Sequence, residues 1–183
     1  MPEAARIRVC VAGITGWTGS AVAEAVRQAD DLELVAGVSR SDPESHSSVA
    51  EALDAVSAEV LVDYTQAEAV KGNVAAAIER GVNVVVGSSG LSSEDYAELD
   101  AAARAHSVGV VAAGNFSLTA ALLLRAAVDA ARHLDAWEVI DYASSTKPDA
   151  PSGTSRELAE RLGEMREPAA PVPVKDVVGP REA

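Results

Sequence analysis

Two stretches of the chain carry residue types suited to holding a charged small molecule. The first is Gly13-Ile14-Thr15-Gly16-Trp17-Thr18-Gly19, with glycines at every third position between an apolar run and a helical pattern. Glycines let the backbone turn sharply and approach a pyrophosphate, whose charge is then held by N–H groups at the helix N-terminus. The second is Lys147-Pro148-Asp149-Ala150-Pro151-Ser152-Gly153-Thr154. Its two prolines stiffen a loop that carries a lysine and delivers a Ser-Gly-Thr turn to a helix start, so a cation, hydroxyls and N–H groups can converge on a carboxylate. The bland alternatives are a glycine-rich turn that binds nothing and a surface lysine before a capping turn.

Three further turns lie where an open α/β sheet binds its ligand, outside the carboxyl ends of the strands. Dinucleotide domains selective for NAD place an acid about 20 residues after the glycines, on the ribose 2′-hydroxyl. Here the second strand ends Gly37-Val38-Ser39-Arg40-Ser41 without a carboxylate. Arg40 is suited to a 2′-phosphate, with Ser39 and Ser41 adding hydrogen bonds, so NADPH is expected and NADH is possible. The alternative for Arg40 is a solvated loop cation. Gly87-Ser88-Ser89-Gly90 follows the fourth strand, Gly114-Asn115-Phe116-Ser117 the fifth, and Asp63-Tyr64-Thr65 ends the third.

The elements that must position these residues alternate regularly. Apolar runs predict strands over 7–12, 32–38, 60–63, 83–86 and 109–112, and helical patterns over 21–28, 49–56, 66–80, 93–106 and 115–132. Valine-rich strands without polar alternation are those of a parallel sheet buried on both faces, and βα alternation implies a doubly wound sheet with right-handed crossovers. Capping boxes are expected at Thr65/Glu68, Ser92/Asp95 and Thr154/Glu157, the last before a short helical segment over 158–162. Residues 137–142 (WEVIDY) are a strand candidate, and 164–183, with four prolines, reads as a loop, edge strand or tail. The rhythm changes near residue 130, so the fold class is α/β, with a Rossmann domain over 1–130 and a partial α+β domain over 131–183.

Composition excludes several classes. Fifteen Lys+Arg against 28 Asp+Glu give a net charge of −13 over 183 residues, which argues against a nucleic-acid partner. Aromatics at 3% offer few platforms for stacked bases. A hydrophobic content of 48% with 23% charged residues is that of a globular protein. The single cysteine, Cys10, forms no intrachain disulfide and fits a reducing cytoplasm; inside the first strand it reads as a small buried hydrophobe. The three histidines, at 46, 106 and 133, lack metal-ligand spacing. Neither a signal core nor the roughly 18 apolar residues of a membrane span is found. A soluble, cytoplasmic protein is expected, without membrane or metal.

VAGITGWTG (11–19), VDYT (62–65), VGSSG (86–90), GNFS (114–117) and KPDAPSGT (147–154) together resemble the dihydrodipicolinate reductases of the diaminopimelate route to lysine. The resemblance runs from Ile7 to the C-terminus. It implies an NAD(P)H-binding Rossmann domain, a mixed substrate domain that also forms a homotetramer, and hydride transfer to a cyclic dicarboxylate. By that resemblance Lys147 is the catalytic lysine, and Gly153 and Thr154 hold a substrate carboxylate; the hydroxyls of Ser144 and Ser152 are expected as further substrate contacts from their residue types. The cofactor positions fall on Gly13, Ile14, Thr15, Gly16, Trp17, Thr18, Ser39, Arg40, Gly87, Ser88, Ser89, Ala113, Gly114, Asn115 and Phe116.

Two departures stand out. Where the family has a histidine pair ahead of the lysine, this chain has Ala143-Ser144-Ser145-Thr146, and Ala143 transfers no proton. Lys147, or a water held by the hydroxyls, is the remaining donor. The family also continues for tens of residues beyond the segment that resembles 179–183, so the chain is expected to fall short of a full substrate domain. Three functions stay open: an NADPH-dependent reductase of this family, a reductase of another cyclic imine or oxo acid, and a non-catalytic nucleotide-binding homologue.

Overall fold

The computed structural model describes residues 5–142, 151–166 and 169. The chain forms two compact units, residues 1–113 and 114–183. The first holds β1 (Ile7–Ala12), α1 (Trp17–Gln28), β2 (Leu32–Val38), α2 (Val49–Ala55), β3 (Val60–Asp63), α3 (Ala67–Glu79), β4 (Asn83–Val86), α4 (Ser93–His106) and β5 (Val110–Ala112). The five strands form one sheet in the order β2-β1-β3-β4-β5, and every pair is parallel. This is the doubly wound, Rossmann-like sheet that the alternation predicts.

β1 shows why its sequence is apolar without a break. Val9 and Val11 pack on one face with Ala23 and Val26 of α1. Cys10 and Ala12 pack on the other face with Val49 and Ala52 of α2, Val70 and Val74 of α3, and Leu99 of α4. A strand clothed on both sides has no polar side to show. Its neighbour β3 carries the same register to Asp63, which pairs with Ala12 at the strand tips.

The helix ends correct the sequence reading in detail. The Ser92/Asp95 box forms as expected: Ser92 Oγ accepts from the Asp95 N–H, and Asp95 receives the Ser92 N–H at 2.9 Å. The Thr65/Glu68 box does not form, because Thr65 Oγ donates to Asp63 and α3 starts behind Gln66, which makes no side-chain cap. α1 begins at Trp17, four residues earlier than its apolar pattern, directly from the glycine turn.

The second unit contains α5 (Leu118–Ala131), capped by Ser117, and α6 (Gly153–Met165). α6 is capped by Ser152, whose Oγ accepts from the Ser155 N–H, rather than by a Thr154/Glu157 box; Glu157 instead receives the Gly114 N–H at 3.2 Å. Residues 137–142 carry no regular structure. A strand needs a ladder partner, and the described residues of this unit contain none. Of the expected tail, 164 and 165 still belong to α6, and most of the rest lies outside the described residues.

Candidate functional site at the carboxyl edge of the sheet

All five strands run parallel, so the tips of β1, β2, β3 and β4 gather at one edge of the sheet with Ala113, which follows β5. The turn after β1 is shaped for glycine. Gly13 has φ +79, and a Cβ there would stand 2.3 Å from the Tyr64 carbonyl oxygen. A Cβ on Gly19 would stand 2.0 Å from the Gly13 carbonyl oxygen. Only bare backbone lets the turn, the start of α1 and the tip of β3 come this close. Gly16 is the N-cap of α1, and neither a side-chain cap nor a first-turn acid competes for the helix N-terminus. α4, with Ser92, Glu94 and Asp95 at its start, is closed to an anion. The N-terminus of α1 is open to one, with Trp17 and Thr18 exposed beside it.

Thr15 Oγ lies 2.8 Å from Ser39 Oγ and 3.4 Å from Ser41 Oγ, a hydroxyl cluster joining the tips of β1 and β2. The 42–46 loop folds back to hold it: the Ser39 N–H donates to the His46 carbonyl at 2.9 Å and the His46 N–H to the Gly37 carbonyl at 3.0 Å. Arg40 reaches away from this loop, its guanidinium donating to Gln66 Oε1 at 3.1 Å. The arginine thus spans from the end of β2 to the start of α3. Ile14 is a packing residue at its side chain, since a Cβ on Gly37 would stand 2.5 Å from its Cδ1.

An open depression of about 600 Å³ lies on the outer side of this turn, lined by Thr15, Gly37, Asp42, Glu44 and His46 among others. Donors from Ser45 and the Glu44 N–H hold the Asp42 carboxyl below the usual carboxylate range. Asp42 and Glu44 share its wall with Arg27, so the depression carries both signs of charge.

The turn after β4 is locked in place by neighbours from β3. The ring of Tyr64 covers Gly87, where a Cβ would stand 2.2 Å from it. Ser88 Oγ donates to the Asp63 carboxylate at 2.5 Å, while Ser89 is exposed. The sequence places the Asp63-Tyr64-Thr65 turn at this edge but gives Asp63 and Tyr64 no partners, and Gln66 and Asn73 were not expected there. The available signal was an aspartate at a strand tip with threonine two residues on, the pattern of an Asx turn, in which the Thr65 N–H donates to Asp63 at 3.0 Å.

In the second unit the turn over 114–117 and the start of α6 come together. Thr154 Oγ donates to the Gly114 carbonyl at 3.2 Å and receives Asn115 Nδ2 at 3.2 Å. Phe116 is exposed. The Ser152 N–H and hydroxyl both donate to the Asp141 carboxylate, at 2.7 and 3.2 Å. The side chain expected to meet a substrate carboxylate is here engaged by a carboxylate of the chain itself, while Gly153 and Thr154 carry the rest of the turn. Lys147 and Ser144 lie outside the described residues. Among the described residues, no group of His, Cys, Asp and Glu is arranged to hold a metal, and no helix is long and apolar enough to cross a membrane.

A parallel sheet with helices on both faces, a glycine turn that tolerates no side chain, and an open helix N-terminus fit a nicotinamide dinucleotide and define an NAD(P)H-dependent oxidoreductase of Rossmann type. The chain belongs to the dihydrodipicolinate reductase family: the model for "Dihydrodipicolinate reductase, N-terminus" matches residues 7–116. The chain is 36% identical over 170 residues to 4-hydroxy-tetrahydrodipicolinate reductase of Coxiella burnetii, covering 93% of this chain and 69% of that one. In fold it is similar to the dipicolinate-bound dihydrodipicolinate reductase of Paenisporosarcina sp. TG-14, with a TM-score of 0.75 at 23% identity, over 97% of this chain and 74% of the other. It also resembles GenD2 of gentamicin A biosynthesis, solved in complex with NAD, with a TM-score of 0.59 at 25% identity over 70% of this chain and 41% of that one.

Proposed function

We propose that the chain reduces 4-hydroxy-tetrahydrodipicolinate, a cyclic imine dicarboxylate, with NADPH in preference to NADH. The 36% identity to a curated reductase across 93% of the chain carries this reading. When bound, the reduced nicotinamide supplies the hydride. The chain's own residues do the rest. Gly13, Gly16 and the N–H groups opening α1 would hold the pyrophosphate. Arg40, with Ser39 and the hydroxyl of Thr15, would pair with the 2′-phosphate, and Gln66 would steady the guanidinium for that contact. Gly87, Ser88 and Ser89, together with Ala113, Gly114, Asn115 and Phe116, would line the nicotinamide half.

Lys147 would neutralise a substrate carboxylate and deliver the proton that accompanies hydride addition, and Ser144, Ser152, Gly153 and Thr154 would hold the dicarboxylate by hydroxyls and N–H groups. This reading carries with it residues 131–183 as part of the substrate domain, a homotetramer, and a place in the cytoplasm. Ala143-Ser144, where the family has histidines, favours one second reading: the same fold and cofactor acting on a different cyclic imine or oxo acid.

The test is NADPH oxidation with freshly generated hydroxy-tetrahydrodipicolinate, in the wild type and in Lys147→Ala. Turnover that falls by about 100-fold or more in the variant is expected of a general acid that also holds a carboxylate. NADPH binding without turnover would move the substrate to the second reading, and equal rates in the two proteins would remove Lys147 from its role.

A further inference from the structure

Asp63 is fully buried, yet it is a charged residue at the centre of the sheet's carboxyl edge. Four donors converge on its carboxylate. Oδ1 accepts the Thr65 N–H at 3.0 Å, the Thr65 hydroxyl at 2.8 Å and the Ser88 hydroxyl at 2.5 Å. Oδ2 accepts Asn73 Nδ2 at 2.8 Å. These come from three elements, the tip of β3, the second turn of α3, and the loop after β4. The main chain of the same residue adds a fifth tie, its carbonyl receiving the Gly87 N–H at 2.9 Å. A buried carboxylate is costly unless hydrogen-bonded, and an apolar residue would fill a β3 tip without that cost.

What the carboxylate does is set the direction of the hydroxyls around it. With the Thr65 N–H and Asn73 Nδ2 donating to it, the carboxylate acts as an acceptor, so Ser88 spends its single proton on Asp63 and presents lone pairs to anything on its other side. A hydroxyl so committed repels a phosphate oxygen and attracts an O–H or N–H. The sheet order gives it a location: Ser88 follows β4, three strand steps from the end of β2, roughly 14 Å at about 4.8 Å per step.

We propose that Asp63 is a positioning residue for the nicotinamide half of the dinucleotide: it fixes the 87–89 turn and holds Ser88 Oγ as an acceptor for an uncharged donor of that half, a sugar hydroxyl or the carboxamide N–H. The proposal rests on the dinucleotide binding at this edge. Asn73 and Thr65 keep the carboxylate in place, and Ser88 transmits its effect.

Titrations of NADPH and of the 2′-phosphorylated ADP fragment, which lacks the nicotinamide half, into wild type, Ser88→Ala, Asp63→Asn and the Asp63→Asn/Asn73→Asp pair test it. Ser88→Ala is expected to weaken NADPH roughly tenfold, the worth of one charge-polarised hydrogen bond, with the fragment unchanged. Asp63→Asn turns an amide N–H towards Asn73 Nδ2, donor against donor, and is expected to weaken NADPH further. The paired variant restores donor against acceptor at that contact and recovers most of the loss. If Asp63→Asn does not fold, Ser88→Ala decides alone, since its Asp63 keeps three of its four donors. NADPH affinity unchanged in folded Ser88→Ala, or NADPH and fragment weakened equally, overturns the role given to Asp63 and Ser88 while leaving the cofactor reading intact. A wild type that binds neither ligand overturns both.

Discussion

The helices of the two units treat their apolar residues differently. On α3, Val70, Val74, Ala77 and Ile78 are all 0% exposed, pressed against the sheet. On α5, more hydrophobic in sequence, Leu122 is 57% and Leu123 66% exposed, and Ala131 is its only fully buried residue. Hydrophobicity alone does not bury a helix; a partner surface does. The first unit supplies that surface from its own five strands, whereas the described residues of the second supply two helices and no strand. The glycine turn and the open N-terminus of α1 sit on the unit that carries the five-stranded sheet.

Core truncation tests this contrast most strongly. Ile78→Ala empties a fully buried position and is expected to cost about 2–5 kcal/mol in urea unfolding. Leu123→Ala removes more solvent-facing surface than packing and is expected to cost less than about 0.5 kcal/mol. Equal losses at the two positions would break the comparison.

A smaller effect comes from the ion cluster that ties α3 to α4. Lys71 Nζ lies 2.7 Å from Asp95 and 2.6 Å from Glu98. The hydrogen bond from Lys71, with the Ser92 donors behind it, lowers the Asp95 carboxyl from 3.8 to about 2. A carboxyl lowered by folding contributes stability that is complete above its unfolded value and is lost as pH falls through its folded one. The difference in melting temperature between wild type and Lys71→Met should therefore hold near neutrality and shrink between about pH 4 and about pH 2. A constant gap across that window would show that the cluster contributes nothing through Asp95.

The frame of the site was legible because strand tips and glycines are local signals. β3 and α4 fall within their predicted bounds, and the Ser92/Asp95 box needed only its own four residues. Cys10, read as a buried hydrophobe, is 0% exposed, and burial pushes its thiol up to about 12. What failed were readings that depend on a competitor elsewhere in the chain. Thr65 caps no helix because Asp63 takes its hydroxyl, and Glu157 turns from Thr154 to the Gly114 N–H. The segment 137–142 forms no strand because pairing is a property of two segments. The turn at Asp63 was legible but its partners were not, for the same reason: Asn73 and Ser88 are 10 and 25 residues away.

The claim on which the rest depends is that the bare glycine turn and the open N-terminus of α1 hold a phosphorylated nicotinamide dinucleotide, and a direct titration of NADPH tests it. Wild type should bind saturably, Gly19→Ala should bind at least about 100-fold more weakly because its Cβ would stand 2.0 Å from the Gly13 carbonyl, and Arg40→Ala should lose about tenfold for NADPH with little change for NADH. Undiminished binding in a folded Gly19→Ala would contradict the account.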